Sequence, residues 1–161
     1  MPDADEIIPR VWLGNRYAAV NGEWLAKNNI TVVFNCTKDL PFHDSIKTRY
    51  RIPVDDNLKA EEINNMTRWT PEIAAKVLRE YKAGKNILIH CAAGMQRSAA
   101  TMTLFLITLT GESAPVIMSH IRRRRPIAFV PQVNFRPSIE YYDALFHNDI
   151  LPVIRNQQVQ A

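Results

Sequence analysis

Residues 86–98 read Asn86-Ile87-Leu88-Ile89-His90-Cys91-Ala92-Ala93-Gly94-Met95-Gln96-Arg97-Ser98, and this stretch decides the fold. Its apolar beginning is typical of a buried strand, which ends at the cysteine. A short loop follows, and a helix is predicted to begin near Arg97. Because a helix N-terminus after such a loop attracts anions, the stretch predicts an α/β fold with a site of phosphate size.

The loop after Cys91 offers a phosphate group several donors at once. We expect the backbone N–H groups of residues 92–97 to point inward as an anion nest, next to the positive end of the helix dipole. Gly94 lies mid-loop, where positive φ suits glycine. Arg97 adds a planar fork for two phosphate oxygens. The predicted phosphate-binding residues are Ala92, Ala93, Gly94, Met95, Gln96 and Arg97.

The same donors act on Cys91, which we predict to be a nucleophile. They favour the thiolate, so its pKa should fall to roughly 3.5 to 7.5. The expected chemistry is attack on phosphorus, giving a phosphocysteine that water hydrolyses. Ser98 is placed to hydrogen-bond the sulfur as it leaves. His90 is interpreted as a buried scaffold residue rather than a proton carrier.

A cysteine that merely packs in the core is the alternative. Against it, the pattern H-C-x-x-G-x-x-R-[S/T] should arise by chance in a chain of this length with probability on the order of 10⁻⁵. Its position between a predicted strand and a predicted helix is a further condition. The pattern therefore favours a thiol-based phosphate site.

The run from His90 to Ser98 resembles the signature of the cysteine-dependent protein tyrosine phosphatases, and its Arg-Ser ending resembles the dual-specificity branch. The similarity extends over nearly the whole chain. The other segments that carry it are residues 6–15, 29–36, 50–57 and 123–146. The resemblance implies an α/β fold with a central mixed, mostly parallel sheet flanked by helices on both faces. It also implies a catalytic domain over residues 6–148. The remaining residues, 1–5 and 149–161, are expected to be flexible tails, as chain termini often are.

A leaving oxygen needs a proton, and Asp55 and Asp56 are adjacent candidates for the acid. In the family pattern the acid precedes an Asn-like position, so the resemblance selects Asp56, with Asn57 as a supporting residue. Either carboxylate alone would be read as a solvated loop residue. The stretch from Glu61 to Thr70 resembles an insertion, which we expect to reposition the acid loop or to form a rim.

Cys36 ends a predicted strand beside the strand of Cys91. Some members of the family carry a second cysteine at a similar place, so the resemblance implies that Cys36 is a redox partner that traps oxidised Cys91 as a disulfide. A buried core cysteine is the equally weighted alternative.

Hydrophobic periodicity predicts the remaining elements. The predicted strands are 7–13, 31–36, 49–54 and 86–90. The predicted helices are 16–28, 70–83, 98–109, 113–124 and 137–147. Thr70-Pro71 is interpreted as a helix start, because a hydroxyl caps well and proline suits the first helical position. Alternation of strands and helices is typical of an α/β architecture.

Composition agrees with one domain in a reducing compartment. The chain has 161 residues and two cysteines, and its four histidines lack ligand spacing. We therefore expect a cytoplasmic or nuclear location, no metal and no cofactor. The apolar stretch 99–109 is too short to cross a bilayer, so no membrane association is expected.

A net charge of +4 and the run Arg122-Arg123-Arg124-Arg125 are compatible with nucleic acid, a membrane surface or a nuclear signal. We favour a structural and steering role, because basic residues also complement a helix C-terminus, and we expect no nucleic acid partner. Phosphorylated proteins are the expected partners, with the chain a monomer or a homodimer.

The resulting functional hypothesis is a dual-specificity protein phosphatase that acts on phosphotyrosine and on phosphoserine or phosphothreonine. One alternative is a phosphoinositide or RNA 5′-phosphate phosphatase with the same chemistry. The neutral loop residues Ala92, Ala93, Met95 and Gln96 argue mildly against such highly charged substrates. Another alternative is a phosphobinding module without activity. The role of Gln132 is left open.

Overall fold

Strands and helices alternate along the chain in the computed structural model, which describes residues 1–160. The strands are β1 Ala4–Ile8, β2 Val11–Gly14, β3 Val32–Asn35, β4 Thr48–Arg51 and β5 Ile87–His90. The helices are α1 Arg16–Ala19, α2 Gly22–Lys27, α3 Ala60–Lys82, α4 Arg97–Thr110, α5 Ala114–Arg124, α6 Arg136–Leu145 and α7 Leu151–Gln160, with a π-helical stretch Phe146–Ile150 between the last two.

The strands form one five-stranded sheet in the order β1-β2-β5-β3-β4. Within residues 1–160, β1 alone runs antiparallel to its neighbour, and the other strand pairs are parallel. His90 at the end of β5 is in register with Gly14 on one side and Asn35 on the other. The predicted mixed, mostly parallel sheet is confirmed, and the carboxyl ends of β2, β5 and β3 meet at one edge.

Helices cover both faces of the sheet, as predicted. Along β5, Ile87 and Ile89 point into the large core, whereas Leu88 points to the opposite face. The large core is formed with α3, α4, α5 and α6, and the smaller one with α1 and α2. This alternation follows from the two-residue period of a strand, and burial on both faces explains why β5 reads as a continuous apolar run.

Helix α4 passes through the large core, and all its residues from Ser98 to Ile107 are buried. Its threonines satisfy their hydroxyls locally, for example Thr103 Oγ1 donates to the Ala99 carbonyl at 2.8 Å. Among residues 1–160, no helix combines the length and the apolar character that a membrane span requires.

The predicted strand 7–13 is wrong, because the chain folds back as a hairpin between β1 and β2. Arg10 adopts φ 75°, and its N–H donates to Glu6 Oε2 at 3.0 Å. The predicted helix 16–28 is also wrong, because it is divided into α1 and α2. Asn21 caps α2, with its Oδ1 accepting from the Trp24 N–H at 3.1 Å, so a second helix begins there.

The predicted helix start at Thr70 is wrong, because α3 already begins at Ala60 and Pro71 lies inside it. Proline lacks an N–H and would leave the Thr67 carbonyl without its helical donor. The Thr70 hydroxyl donates to that carbonyl at 2.9 Å instead. The stretch 61–70, which resembles an insertion, is therefore the first half of a long helix.

Both predicted tails contain secondary structure. Residues 4 and 5 belong to β1, where the Asp5 carboxylate accepts from buried Arg125 at 2.9 Å, so a buried charge fixes this end. The segment 149–160 is helical and mostly exposed. Residue 161 of the predicted tail lies outside the described residues.

Candidate active site

Residues 91–97, here called the signature loop, connect the end of β5 to the start of α4. The loop carbonyls turn outward. The Ala92 carbonyl accepts from the Arg16 N–H at 3.0 Å, and the Met95 carbonyl accepts from the Phe129 N–H at 2.8 Å. The carbonyls between them accept from Arg125. Because a trans peptide places N–H opposite C=O, the N–H groups of residues 93–96 point into the loop. These N–H groups line a backbone concavity that is compatible with the predicted anion nest of residues 92–97, and anion binding there stays a prediction.

Arg125 is the residue that supports this loop from behind. Its side chain is completely buried, Nε donates to the Gly94 carbonyl at 2.9 Å, and Nη2 donates to the Ala93 carbonyl at 3.2 Å. The Asp5 carboxylate balances its charge at 2.9 Å. The run of four arginines in the sequence does not single out this member, because its partners are distant in the chain.

The other arginines of the run also make intramolecular contacts. The Arg122 guanidinium lies 5.2 Å from the Phe129 ring centroid, and Arg123 donates to Ser119 Oγ at 3.0 Å. Arg124 donates to the Glu6 carbonyl at 2.9 Å. These contacts favour the structural interpretation of the basic run.

Gly94 has φ 67°, in the left-handed region. A Cβ at this position would lie 2.6 Å from the Gly14 carbonyl oxygen and 2.8 Å from Arg125 Nη2. The loop therefore requires glycine here for both its backbone conformation and its close packing on β2 and Arg125.

Cys91 lies at the base of the loop and is 2% exposed. Its Sγ is 3.0 Å from Ser98 Oγ. Burial raises the pKa of this thiol, but hydrogen bonds from the Ser98 hydroxyl and N–H, the charge of Arg97 and the Gly94 N–H together hold the pKa below its ordinary value. The thiolate is the nucleophilic form, so the loop favours a reactive cysteine.

Arg97 connects the signature loop to the segment that carries the two aspartates. Its Nη1 donates to the Val54 carbonyl at 2.9 Å. Within residues 1–160, Arg97 Nε and His90 Nε2 are the buried side-chain nitrogens that have no hydrogen-bond partner. A buried donor without an acceptor is costly, so the Arg97 Nε–H is suited to an anion bound in the loop.

Asp55 and Asp56 lie in different surroundings, although they are adjacent. Asp55 forms an ion pair with Lys38, with 3.1 Å between Oδ2 and Nζ. Exposed Asp56 accepts from Asn134 Nδ2 at 2.8 Å and has no ion pair within the described residues. Asn57 Oδ1 accepts from the Lys59 N–H at 3.0 Å, so it stabilises the local turn. Asp56 is thus the less engaged carboxylate, in keeping with its predicted role.

Asn134 is a site residue that the sequence did not reveal. Gln96 of the signature loop accepts from the Asn134 N–H at 3.0 Å, and Asn134 in turn holds Asp56. Gln96 Nε2 also donates to the carbonyls of Val130 and Gln132, at 3.1 and 2.7 Å. Asn134 is 78 residues from Asp56 in sequence, so no local spacing could have paired them. Gln132 contributes its carbonyl, and its own side chain is exposed.

His90 lies behind the loop and is fully buried. Burial lowers its pKa to about 4, so the ring is neutral at physiological pH. Its Nδ1 lies 3.4 Å from the Cys91 carbonyl oxygen. This environment is compatible with the predicted scaffold role.

Cys36 directly follows β3 and lies beside the end of β5, and its N–H donates to the His90 carbonyl at 2.8 Å. Both cysteines are free. Burial raises the pKa of Cys36 to about 12, and its Sγ is 3.4 Å from Thr101 Oγ1. Formation of a Cys36–Cys91 disulfide stays a prediction. Among residues 1–160, no group of three or more His, Cys, Asp or Glu side chains could hold a metal ion.

Known proteins resemble this chain in sequence and in fold. The chain is 27% identical over 146 residues to "Protein phosphatase Slingshot homolog" of Xenopus laevis, covering 90% of this chain and 20% of the relative. It is 29% identical over 123 residues to human "Dual specificity protein phosphatase 1", covering 76% of this chain and 32% of the relative. The chain thus spans about a fifth to a third of the length of these relatives.

Solved structures agree. The crystal structure of DUSP15 matches with a TM-score of 0.80 and 25% identity, covering 95% of each chain. That of human DUSP28 matches with a TM-score of 0.75 and 24% identity, covering 91% of this chain and 96% of the other. The family model of the dual specificity phosphatase catalytic domain matches residues 11–144. The chain therefore belongs to the dual specificity phosphatase family, within the cysteine-dependent protein tyrosine phosphatase superfamily.

Proposed function

We propose that this domain hydrolyses phosphotyrosine and phosphoserine or phosphothreonine in proteins through a phosphocysteine intermediate. One observation carries the proposal: a cysteine of lowered pKa lies at the base of a loop in which the carbonyls of residues 92–95 turn outward. The inward N–H groups and Arg97 supply the donors for a phosphate dianion. Membership of the family supports the same reaction.

In the first step, the Cys91 thiolate attacks phosphorus and the bond from phosphorus to the ester oxygen breaks. Asp56 donates its proton to the departing oxygen, which would otherwise leave as an unstable alkoxide or phenoxide. Arg97 and the loop N–H groups bind the three remaining phosphoryl oxygens, on which charge is concentrated in the transition state. The product is a phosphocysteine and the free hydroxyl of the substrate.

In the second step, ionised Asp56 accepts a proton from water as the water oxygen attacks phosphorus. The bond between phosphorus and sulfur breaks, and inorganic phosphate is released. The Ser98 hydroxyl, 3.0 Å from Sγ, donates to the sulfur as it regains its negative charge. This donation stabilises the leaving thiolate and returns Cys91 to its starting form.

The preference for phosphoproteins rests on the neutral side chains of the loop. Ala92, Ala93 and Met95 carry no charge, and the Gln96 amide is already engaged by the 130–134 segment. The loop side chains thus offer little to the additional phosphates of a phosphoinositide or a triphosphate-ended RNA. Turnover of phosphopeptides, phosphoinositides and triphosphate-ended RNA should therefore be compared directly, and preference for either of the last two would contradict the proposed substrate class.

Replacing the nucleophile is the primary test. Cys91→Ser should abolish turnover of a generic aryl phosphate while phosphate still binds, because the loop donors are unchanged. Phosphate binding can be followed by calorimetry and turnover by product absorbance. Retained turnover in this variant would rule out the phosphocysteine mechanism, and a wild-type protein that binds phosphate without turnover would be a phosphobinding module.

The acid assignment is tested by comparing neighbouring aspartates. Asp56→Ala should lower kcat for phenyl phosphate by about 10² or more, the usual contribution of a general acid. Asp55→Ala should lower it less, because Asp55 is engaged by Lys38. The assignment is wrong if Asp55→Ala proves the more damaging change.

A further inference from the structure

The peptide group between Val54 and Asp55 is hydrogen-bonded on both sides. Its carbonyl accepts from Arg97 Nη1 at 2.9 Å, and its N–H donates to Glu62 Oε2 at 3.0 Å. Glu62 lies in the first turn of α3, whereas Arg97 begins α4. One peptide unit, directly before the proposed acid Asp56, thus joins the phosphate-binding arginine to a carboxylate of another helix.

Glu62 is held from its other side by Lys38. The Lys38 Nζ lies 2.6 Å from Glu62 Oε1 and 3.1 Å from Asp55 Oδ2. Glu62 is only 7% exposed, and carboxylates are rarely so buried unless they are paired. A second α3 residue reinforces the contact, since Asn65 Nδ2 donates to the Pro53 carbonyl at 3.1 Å.

A role confined to stabilising α3 does not account for this arrangement. A carboxylate in the first turn does interact favourably with the positive end of the helix dipole and so stabilises the helix. However, both Glu62 oxygens bind groups outside α3, one on the loop after β3 and one on the segment before Asp56. A chain of polar contacts therefore runs from Lys38 to Glu62, on to the Val54–Asp55 peptide and then to Arg97. It connects the edge of the sheet to the signature loop.

We propose that Lys38 and Glu62 are positioning residues that hold the Val54–Asp55 peptide and thereby set the position of the general acid Asp56. This inference rests on the proposed function. Arg97 and Glu62 hold opposite sides of the Val54–Asp55 peptide. The backbone that leads from this peptide to Asp56 therefore has little conformational freedom. Asp56 is then presented to the leaving oxygen in one orientation, with its carboxylate fixed by Asn134.

The expected signature is a dependence on the leaving group. Phenyl phosphate needs a proton on its departing oxygen. The 2,4-dinitrophenolate group of 2,4-dinitrophenyl phosphate departs readily without one. Glu62→Gln and Lys38→Met should therefore lower kcat/KM for phenyl phosphate by about tenfold, a fraction of the general-acid contribution. The kcat/KM for 2,4-dinitrophenyl phosphate should stay within about twofold of wild type, because it reports only the steps up to formation of the phosphocysteine and excludes the later attack of water, in which Asp56 acts as base. Lys38→Arg, which keeps the positive charge, should retain most of the wild-type activity on phenyl phosphate.

A matched control is available on the same helix. Glu72 forms an ion pair with Lys76 at 2.8 Å on the exposed face of α3, and Glu72→Gln should leave the kcat/KM of both substrates unchanged. A thermal melt of each variant separates misfolding from mispositioning. Equal losses of kcat/KM for both substrates, or an unchanged kcat/KM for phenyl phosphate in both Glu62→Gln and Lys38→Met, would overturn the inference.

A double variant distinguishes this inference from the proposed function itself. If Glu62 acts through Asp56, adding Glu62→Gln to Asp56→Ala should cause no further loss on phenyl phosphate. An additional tenfold loss would show that Glu62 acts by another route and would overturn the inference alone. If Asp56→Ala by itself leaves phenyl phosphate turnover intact, the proposed acid is wrong, and the positioning role falls with it.

Discussion

At the scale of single residues, Cys91 shows opposing effects of burial and hydrogen bonding. Burial in an apolar environment disfavours a thiolate, as the pKa of Cys36, raised to about 12, demonstrates in the same core. Cys91 is equally buried, but donors from Ser98, Arg97 and Gly94 reverse the direction of the shift. The two thiols of the chain are therefore distinguished by their hydrogen-bond donors and not by their exposure.

Removing one donor should raise the Cys91 pKa. In Ser98→Ala the hydroxyl that lies 3.0 Å from Sγ is lost, so a larger fraction of Cys91 stays protonated at a given pH. The pH midpoint for alkylation by iodoacetamide should move to higher pH, because the thiolate loses one of its hydrogen-bond donors. Ser119→Ala, at an exposed position of α5, is the control. An unmoved midpoint would mean that the hydroxyl does not stabilise the thiolate.

At the scale of elements, the signature loop depends on contacts from several distant segments. Its carbonyls are bound by Arg16 at the start of α1, by Arg125 after α5 and by Phe129 in the following loop. The motif His90 to Ser98 predicted the loop and its helix correctly, because the donors it needs are its own backbone. It could not predict Arg125 or Asn134, since each reaches the loop from a remote part of the chain.

The loop glycine should tolerate substitution less than a turn glycine. Gly84 has φ 82°, and nothing lies within 4 Å of an added Cβ. Gly84→Ala should therefore lower the free energy of unfolding by about 1 kcal/mol, the strain of a left-handed backbone at a residue with a side chain. Gly94→Ala adds a contact at 2.6 Å to the Gly14 carbonyl and should cost about 3 kcal/mol, with loss of aryl phosphate turnover. Urea unfolding of both variants measures the difference, and equal losses of stability would contradict the packing argument.

Helix α3 illustrates which local signals mislead. Thr70-Pro71 has the features of a helix start, but the Thr70 hydroxyl supplies the hydrogen bond that Pro71 cannot. The apolar residues before it, among them Met66, are buried against the core, and this burial continues the helix back to Ala60. Tertiary packing thus overrides a local capping pattern that is sound by itself.

At the scale of the whole molecule, the stability of the fold should depend on the buried His90. Burial lowers its pKa to about 4 in the folded state, whereas the unfolded chain takes up this proton near pH 6.5. Between these values the unfolded state binds more protons, so the free energy of unfolding should decrease as the pH falls, by up to about 3 kcal/mol. His147 has a raised pKa and is protonated in both the folded and the unfolded state over most of this range. It therefore contributes little to the pH dependence of the free energy of unfolding.

Two measurements check this expectation. The His90 ring resonances should titrate with a midpoint near pH 4 in the folded protein. Urea unfolding between pH 6.5 and 4 should show a smaller loss of stability in His90→Gln than in wild type. A folded-state midpoint near 6.5, or equal slopes in the two proteins, would contradict a buried neutral histidine.

The sequence by itself determined the sheet-based fold class, the signature loop and the identity of its cysteine and arginine, because strand periodicity and a backbone anion nest are encoded by neighbouring residues. Only the tertiary structure decided how that loop is supported. Arg125 with Asp5, Asn134 with Asp56, and Lys38 with Glu62 are pairs formed between different elements. The physical reason is that a buried or aligned charge needs a partner from another part of the fold, and no local spacing specifies which part that is.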